Sequence, residues 1–184
     1  MVRRRCRFII VVDAGGDPRF EFADLGNAVR KIHIDLGIRI HFDDLQLMKN
    51  RPSDQDTNEQ RRIPYYAIGV IEYKAADGEE DDCEDGIILY IKPAIHGTEA
   101  VGIVSYAAAH PTFPHETTTD QWCTESQFES YRSLGFEIAN RVLSHEVIIR
   151  GVPKLTLQQL LATLPATIHN IPAGWNAVAA SCAI

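Results

Sequence analysis

An uninterrupted apolar run, Phe8-Ile-Ile-Val-Val12, constrains the fold of this chain more than any other segment. Arginines precede the run, and the turn-forming sequence Asp13-Ala-Gly-Gly-Asp-Pro18 follows it. Consecutive rather than alternating β-branched residues are typical of a parallel sheet covered on both of its faces. The run therefore predicts a strand buried on both faces of an α/β fold.

The next segments predict a βαβ-like unit. Asp24 is a candidate helix cap, and apolar residues then recur at helical spacing until Gly37. Residues 37–42 alternate between apolar and polar side chains, as a half-buried strand does. We expect the crossover between the two strands to be right-handed. The apolar residues of the helix are Leu25, Ala28, Val29, Ile32 and Leu36.

The remaining pattern predicts a β-hairpin followed by helices. Strands are predicted at 65–74 and 86–92, joined by an acidic turn at 75–86, whereas the polar segment 49–62 reads as a surface loop. Helices are predicted at 103–109, before Pro111, and at 127–143. We divide the chain into a domain portion, residues 1–150, and a tail, residues 151–184, with one helix at 155–164. The apolar side of the 127–143 helix contains Phe128, Tyr131, Leu134, Ile138 and Val142.

Composition excludes several classes of protein. The 184 residues carry a net charge of −7, which argues against a nucleic-acid partner and against strong attraction to anionic lipid. The four cysteines form no Cys-x-x-Cys pair, so we expect neither a zinc site nor a disulfide framework. Unpaired cysteines are typical of a protein in a reducing compartment. The apolar runs are too short to span a membrane. We therefore expect a cytoplasmic or peripheral-membrane location. We also expect no cofactor, because no phosphate-binding glycine motif is present.

Asp13 is the first candidate site residue. It follows the predicted buried strand directly, and ligands of open α/β sheets collect at the carboxyl ends of strands. The competing interpretation, which we favour, is a tight turn in which Gly15 and Gly16 supply positive φ angles and Pro18 ends the turn.

A second candidate site lies in the segment His110-Pro-Thr-Phe-Pro-His115 and the residues after it. His110, His115 and Glu116 could form a metal cluster, but a histidine pair straddling two prolines lacks the one-face geometry of a helical zinc site. We favour an ordered loop at 110–121 that leads into a helix from about Trp122. Thr119 or Asp120 would then cap this helix.

Three other interpretations, a Cys/His hydrolase, a serine nucleophile and a calcium site, have less support in the sequence. Cys123 with His115 or His145 would make a Cys/His hydrolase, but no oxyanion-forming glycine run precedes Cys123. Ser105 lacks the glycine two residues later that a nucleophile elbow requires. The acidic segment 77–85 departs from the spacing of a calcium loop and is better explained as a solvated hairpin tip.

Two segments, Arg3-Arg-Arg-Cys-Arg-Phe-Ile-Ile-Val-Val-Asp-Ala-Gly-Gly-Asp-Pro18 and residues 110–135 with Gln127-Phe-Glu-Ser-Tyr-Arg132, resemble the C-terminal part of bacterial patatin-like phospholipases. The resemblance implies an α/β/α sandwich and acyl-ester hydrolysis by a serine–aspartate dyad. Neither the Gly-x-Ser-x-Gly elbow nor the Asp-Gly-Gly turn of the family is present. Asp13 matches a later element of the family, so this chain supplies no catalytic residue.

The resemblance therefore implies a partial three-layer patatin-like sandwich whose N-terminal catalytic half is missing. We expect the C-terminal fragment of a phospholipase-like lipid acyl hydrolase, inert alone, with Met1 inside a longer reading frame. A lipid or acyl ester would be a substrate of the intact parent only, and the exposed sheet edge would favour self-association. The alternative is a free-standing, non-catalytic module that binds a partner or a membrane surface. The expected pocket-wall or loop residues are Asp13, His110, His115, Asp120 and Gln121.

Overall fold

The computed structural model describes residues 1–42, 45–48, 65–78, 84–117, 119 and 122–144. The predicted loop at 49–62, the predicted helix at 155–164 and the rest of the tail lie outside the described residues.

The described residues form an α/β fold, as the sequence predicts. The four strands are β1 (Phe8–Val12), β2 (Arg39–Phe42), β3 (Tyr66–Glu72) and β4 (Gly86–Ile91). The α-helices are α1 (Ala23–Leu36), α2 (Tyr73–Asp77), α3 (Val101–Ala109) and α4 (Glu125–Ser144). Short 3-10 helices occupy Val2–Arg4 and Leu45–Met48.

The described strands form one mixed sheet in the order β1-β4-β3-β2. β4 runs parallel to β1 and antiparallel to β3, and β3 runs antiparallel to β2. The predicted pairing of β3 with β4 is thus confirmed, although their connection begins with helix α2 rather than a simple turn. β1 and β2 point the same way but lie at opposite edges, so the βαβ-like unit spans two intervening strands.

β1 is incompletely covered on one of its faces, which corrects the prediction that it is buried on both faces, and it is an edge strand of the described sheet. Its parallel pairing with β4 is as expected, and Ile9 is buried. Ile10 and Val12, which point to the opposite face, are 48% and 69% exposed. The apolar run correctly predicts that β1 has a parallel neighbour. It does not predict how much of the face that carries Ile10 and Val12 is covered.

Helices supply the core on both faces of the sheet. Val29, Ile32 and Leu36 of α1 contact the face that carries Ile9 and Ile88. Leu89 points the other way and lies in a second cluster with residues of α3 and α4. The buried helical residues of that second cluster are Ile103, Leu134, Ile138 and Val142.

Local residues explain where the helices end, but the predicted cap of α1 and the predicted start of α4 are both wrong. Gly37 ends α1 at φ 69° and donates its N–H to His33, as predicted. Asp24 lies in the first turn of α1, and Phe22 occupies the cap position. α4 begins at Glu125 rather than near Trp122, because Thr124 and Gln127 exchange side-chain-to-backbone hydrogen bonds of 3.2 and 3.3 Å, a capping box.

Phe128 is the one predicted apolar residue of α4 that the core does not bury, since it is 63% exposed. Leu134, Ile138 and Val142 are buried as predicted, and Tyr131 is half-buried.

The acidic segment is also less exposed to solvent than predicted. Arg5 binds Asp77 through two hydrogen bonds, and Arg7 forms an ion pair with Glu84. Asp85 accepts the backbone N–H of Lys74 at 3.0 Å. Arginines at the head of the chain therefore pair with Asp77 and Glu84, two residues of the segment predicted to be a solvated hairpin tip.

Neighbouring isoleucines of β1 allow a direct test of this burial. Ile9→Ala should lower the free energy of unfolding by about 2–4 kcal/mol, because a 7% exposed side chain is deleted from a packed face. Ile10→Ala should cost clearly less, because Ile10 is 48% exposed. Urea denaturation of both variants measures the difference, and equal losses would contradict the unequal burial of the two faces of β1.

Candidate functional site

A cleft of about 320 Å³ lies at the carboxyl ends of β1 and β4. Asp13 follows β1 and Lys92 follows β4, and because the two strands are parallel, both side chains lie at the same edge of the sheet. The rest of the described lining comes from the segment between β1 and α1. These residues are Gly16, Asp17, Pro18, Arg19, Glu21, Phe22, Ala23 and Asp24.

The Asp13 carboxylate is the centre of a hydrogen-bond network. One oxygen, Oδ2, accepts from Lys92 Nζ at 2.9 Å and from the Tyr90 hydroxyl. The other, Oδ1, accepts the Gly15 backbone N–H at 2.8 Å. Lys92, which is only 1% exposed, also donates to the Gly15 carbonyl at 3.1 Å. The network ties the ends of two strands to the first turn after β1.

The ionisation of this network follows from its contacts. Burial alone would raise the pKa of the Asp13 carboxyl, but hydrogen bonds from Tyr90, Lys92 and Gly15 together hold that pKa below its ordinary value. Burial raises the pKa of Tyr90 well above its ordinary value, and the hydrogen bond to Asp13 raises it further. At neutral pH the network is therefore a carboxylate that accepts from a neutral phenol. Such a carboxylate anchors the loop and is a poor general base.

Asp17 shapes the other wall of the cleft. Its two carboxylate oxygens each accept a backbone N–H, from Glu21 and from Phe22, both at 2.9 Å. The segment that they close holds Phe20 and Phe22 at φ 52° and 56°, in the left-handed region, and both rings are buried. That backbone conformation costs on the order of 1–3 kcal/mol per residue, which burial of two aromatic rings offsets.

His115, from a distant part of the sequence, contacts the loop that lines the cleft. Its Nδ1 accepts the Asp17 backbone N–H at 3.3 Å, and its ring meets Phe20 edge-on with centroids 5.3 Å apart. The approach is close, since a Cβ on Gly16 would lie 2.9 Å from the His115 carbonyl oxygen. Gly16 is thus required by backbone contact, not by a positive φ angle as the turn interpretation supposed.

His110 does not join the cleft. It is exposed and stacks on Tyr106, with ring centroids 3.9 Å apart, and its Nδ1 lies 3.0 Å from the Tyr106 carbonyl oxygen. The other two predicted site residues, Asp120 and Gln121, lie outside the described residues. Of the described residues in the predicted set, only Asp13 lines the cleft, and His115 contacts the loop that forms the cleft wall.

Glu116 is held by α4 rather than by a metal-type cluster. Its carboxylate accepts from Gln127 Nε2 at 2.7 Å. Burial and a hydrogen bond to Glu116 raise the pKa of Tyr131 to about 12. Within the described ranges, no group of three His, Cys, Asp or Glu side chains is arranged to hold a metal ion.

The candidate nucleophiles lie elsewhere. Ser105 is an exposed residue of α3, and Cys123 is exposed just before α4. The described lining of the cleft contains no serine, threonine or cysteine. The described lining therefore presents a polar wall without a hydroxyl or thiol nucleophile.

Lys92 and Tyr90 are the residues that sequence reasoning missed. The sequence does contain a pattern that points to them. One apolar strand ends in Tyr90-Ile-Lys92-Pro93, and another is followed directly by Asp13. Only the pairing of β1 with β4, which no residue pattern identifies, brings the lysine and the aspartate together.

Comparisons with known proteins give no relative. No protein-family model matches the sequence, and neither curated proteins nor solved structures give a match. None of the described helices is long and apolar enough to cross a membrane.

The buried pair generates a pH-dependent prediction. Asp13→Asn should lower the free energy of unfolding at pH 7 by about 3 kcal/mol, because Lys92 loses its counter-charge. The folded pKa of Asp13 is below its ordinary value of 3.8, so the carboxylate stabilises the fold above that pH. The stabilisation is lost as the pH falls from 3.8 through the lower folded pKa. The gap between wild type and variant should therefore narrow in acid.

Urea denaturation between pH 7 and pH 2 measures this gap. Asp35→Asn, at an exposed position of α1, is the matched control and should change stability by no more than about 0.5 kcal/mol. A gap that is constant down to the lowest pH would contradict the ionised assignment of Asp13.

The contact between Gly16 and His115 gives a second prediction. Gly16→Ala places a methyl group against the His115 carbonyl, so the two loops must separate. We expect a lower melting temperature and shifted His115 ring resonances in NMR spectra. Gly26→Ala, in open space on α1, should keep both unchanged or raise the melting temperature. Unshifted His115 resonances in the Gly16→Ala variant would contradict the contact.

Proposed function

We propose that this chain is the C-terminal section of a patatin-like acyl hydrolase. One observation carries the proposal. The two segments on which the resemblance depends lie about a hundred residues apart in sequence, and they meet where Asp17 donates its N–H to His115. If the patatin-like family uses the same contact, both segments are expected to keep the residue pattern of the family, as they do here.

In the intact hydrolase this section would complete the sheet and one wall of the acyl pocket. The mixed sheet, with helices packed on both faces, is compatible with part of a three-layer sandwich. The ion pair between Asp13 and Lys92 would hold the wall rigid. The His115 loop would fix its orientation through Asp17 and Gly16.

The catalytic groups would come from the preceding half of the parent protein. Acyl transfer needs a nucleophile, a base and oxyanion donors in one place. The described cleft offers a carboxylate already engaged by three donors and no hydroxyl or thiol nucleophile. The 184-residue chain should therefore hydrolyse no ester by itself, and the lipid substrate belongs to the parent.

The test is the intact mass and serine reactivity of the native protein. An antibody against residues 127–135, which include the exposed Phe128 and Glu129, would isolate it from its source. We expect a mass well above 20.6 kDa and covalent labelling by a fluorophosphonate at a serine upstream of Met1. The recombinant 184-residue chain should remain unlabelled under the same conditions.

A native mass of 20.6 kDa without labelling would refute the hydrolase assignment. It would leave the alternative, a non-catalytic binding module. Labelling of the 184-residue chain itself would refute the claim that the catalytic groups lie upstream.

A further inference from the structure

The outer edge of β1 carries backbone groups that pair with no strand in the described part of the chain. The described bonds at its two ends run from Ile87 N–H to the Arg7 carbonyl, at 2.7 Å, and from Asp13 N–H to the Ile91 carbonyl, at 2.9 Å. In a parallel ladder alternate residues bond to the same neighbour, so the odd-numbered residues of β1 face β4. The N–H and carbonyl groups of Phe8, Ile10 and Val12 therefore point away from the sheet, where no described strand pairs with them.

The two edges of the described sheet are protected very differently. β2, at the far edge, has four residues, and its Arg39 and His41 both contact Glu72. Short, charged edges resist pairing with a further strand. β1 contains no charge, proline or glycine, and its Ile10 and Val12 are exposed. This edge has the features of a strand that accepts a partner strand.

Charge polarity selects the direction of that partner. Arg3 and Arg4, which precede β1, are exposed. The described lining of the cleft after β1 is acidic on balance, with four carboxylates, among them Asp17 and Asp24, against two basic side chains. An antiparallel second β1 brings the basic end of each strand beside the acidic end of the other. A parallel copy would place like charges side by side, which is unfavourable.

We propose that β1 pairs antiparallel with β1 of a second copy of this chain, about a two-fold axis at Ile10. In this register Ile10 faces Ile10 of the second copy, and Phe8 faces Val12. It is the register that pairs all three outward-pointing residues of both strands. The exposed Ile10 and Val12 side chains of the two copies then adjoin on one face. The inference concerns the 184-residue chain alone, because the preceding half of the proposed parent hydrolase would extend this sheet at one of its edges.

Sedimentation equilibrium of the 184-residue chain tests the association. We expect a dimer of twice 20.6 kDa. Ile10→Lys should raise the dimer dissociation constant at least about tenfold, because two like charges face each other across the axis. Ile34→Lys is the matched control: Ile34 is 66% exposed on α1, away from the edge, and its variant should dimerise like the wild type.

A monomeric wild-type chain would overturn the proposal. So would an equal effect of the two lysine variants, which would indicate unspecific apolar contact. Circular dichroism and thermal melting establish that each variant is folded. Serine labelling of the native protein is a separate readout, so failure of the dimer and failure of the hydrolase assignment are distinguishable.

Cross-linking tests the register even if Ile10→Lys proves unstable. In a background with the four cysteines replaced by serine, Ile10→Cys should form a disulfide-linked dimer on mild oxidation. Residues directly opposite in an antiparallel pair have Cα atoms about 5.5 Å apart, within disulfide range. Phe8→Cys faces Val12 and should cross-link far less. Equal cross-linking of the two variants, or none, would overturn the register.

Discussion

The parallel pairing of β1 with β4 is the constraint on which the rest of the described structure depends. It brings the ends of two strands, distant in sequence, to one edge and thereby places Asp13 beside Lys92. A lysine that is 1% exposed tolerates burial only with a carboxylate partner, since an isolated buried charge costs several kcal/mol. The pairing and the ion pair therefore require each other, and slippage of β1 by one residue would break both.

The cleft wall is built outward from this ion pair. Asp13 fixes the turn through Gly15, and Asp17 then holds Phe20 and Phe22 in left-handed conformations that the buried rings stabilise. His115 closes the wall against Gly16 from the other side. Each step uses a carboxylate or imidazole acceptor that is already satisfied by the protein. That explains why a site rich in ionisable groups offers structural rigidity rather than a free base or nucleophile.

The sequence predicts local elements well and their surroundings poorly. β1, β4 and α1 follow from apolar runs, helical periodicity and Gly37, all of which act within a few residues. The start of α4 was misplaced because Thr119 and Thr124 are both competent caps, and only Thr124 has Gln127 three residues later. The role of Lys92 and the exposure of Ile10 depend on which strand pairs with β1 and on the order of the strands in the sheet. Both properties arise from contacts between distant segments, which no local pattern encodes.

β1 also shows how an edge strand is held in place when only one side is hydrogen-bonded. At its start, Arg5 and Arg7 bind Asp77 and Glu84, which lie in the connection between β3 and β4. At its end, Asp13 binds Lys92. Ion pairs at both ends attach the strand to its β4 side and place charge at its ends rather than along its length. The middle of the strand therefore stays apolar, and its outer backbone groups remain available for hydrogen bonds to a second strand. The interactions that stabilise β1 within the sheet thus also leave its outer edge accessible.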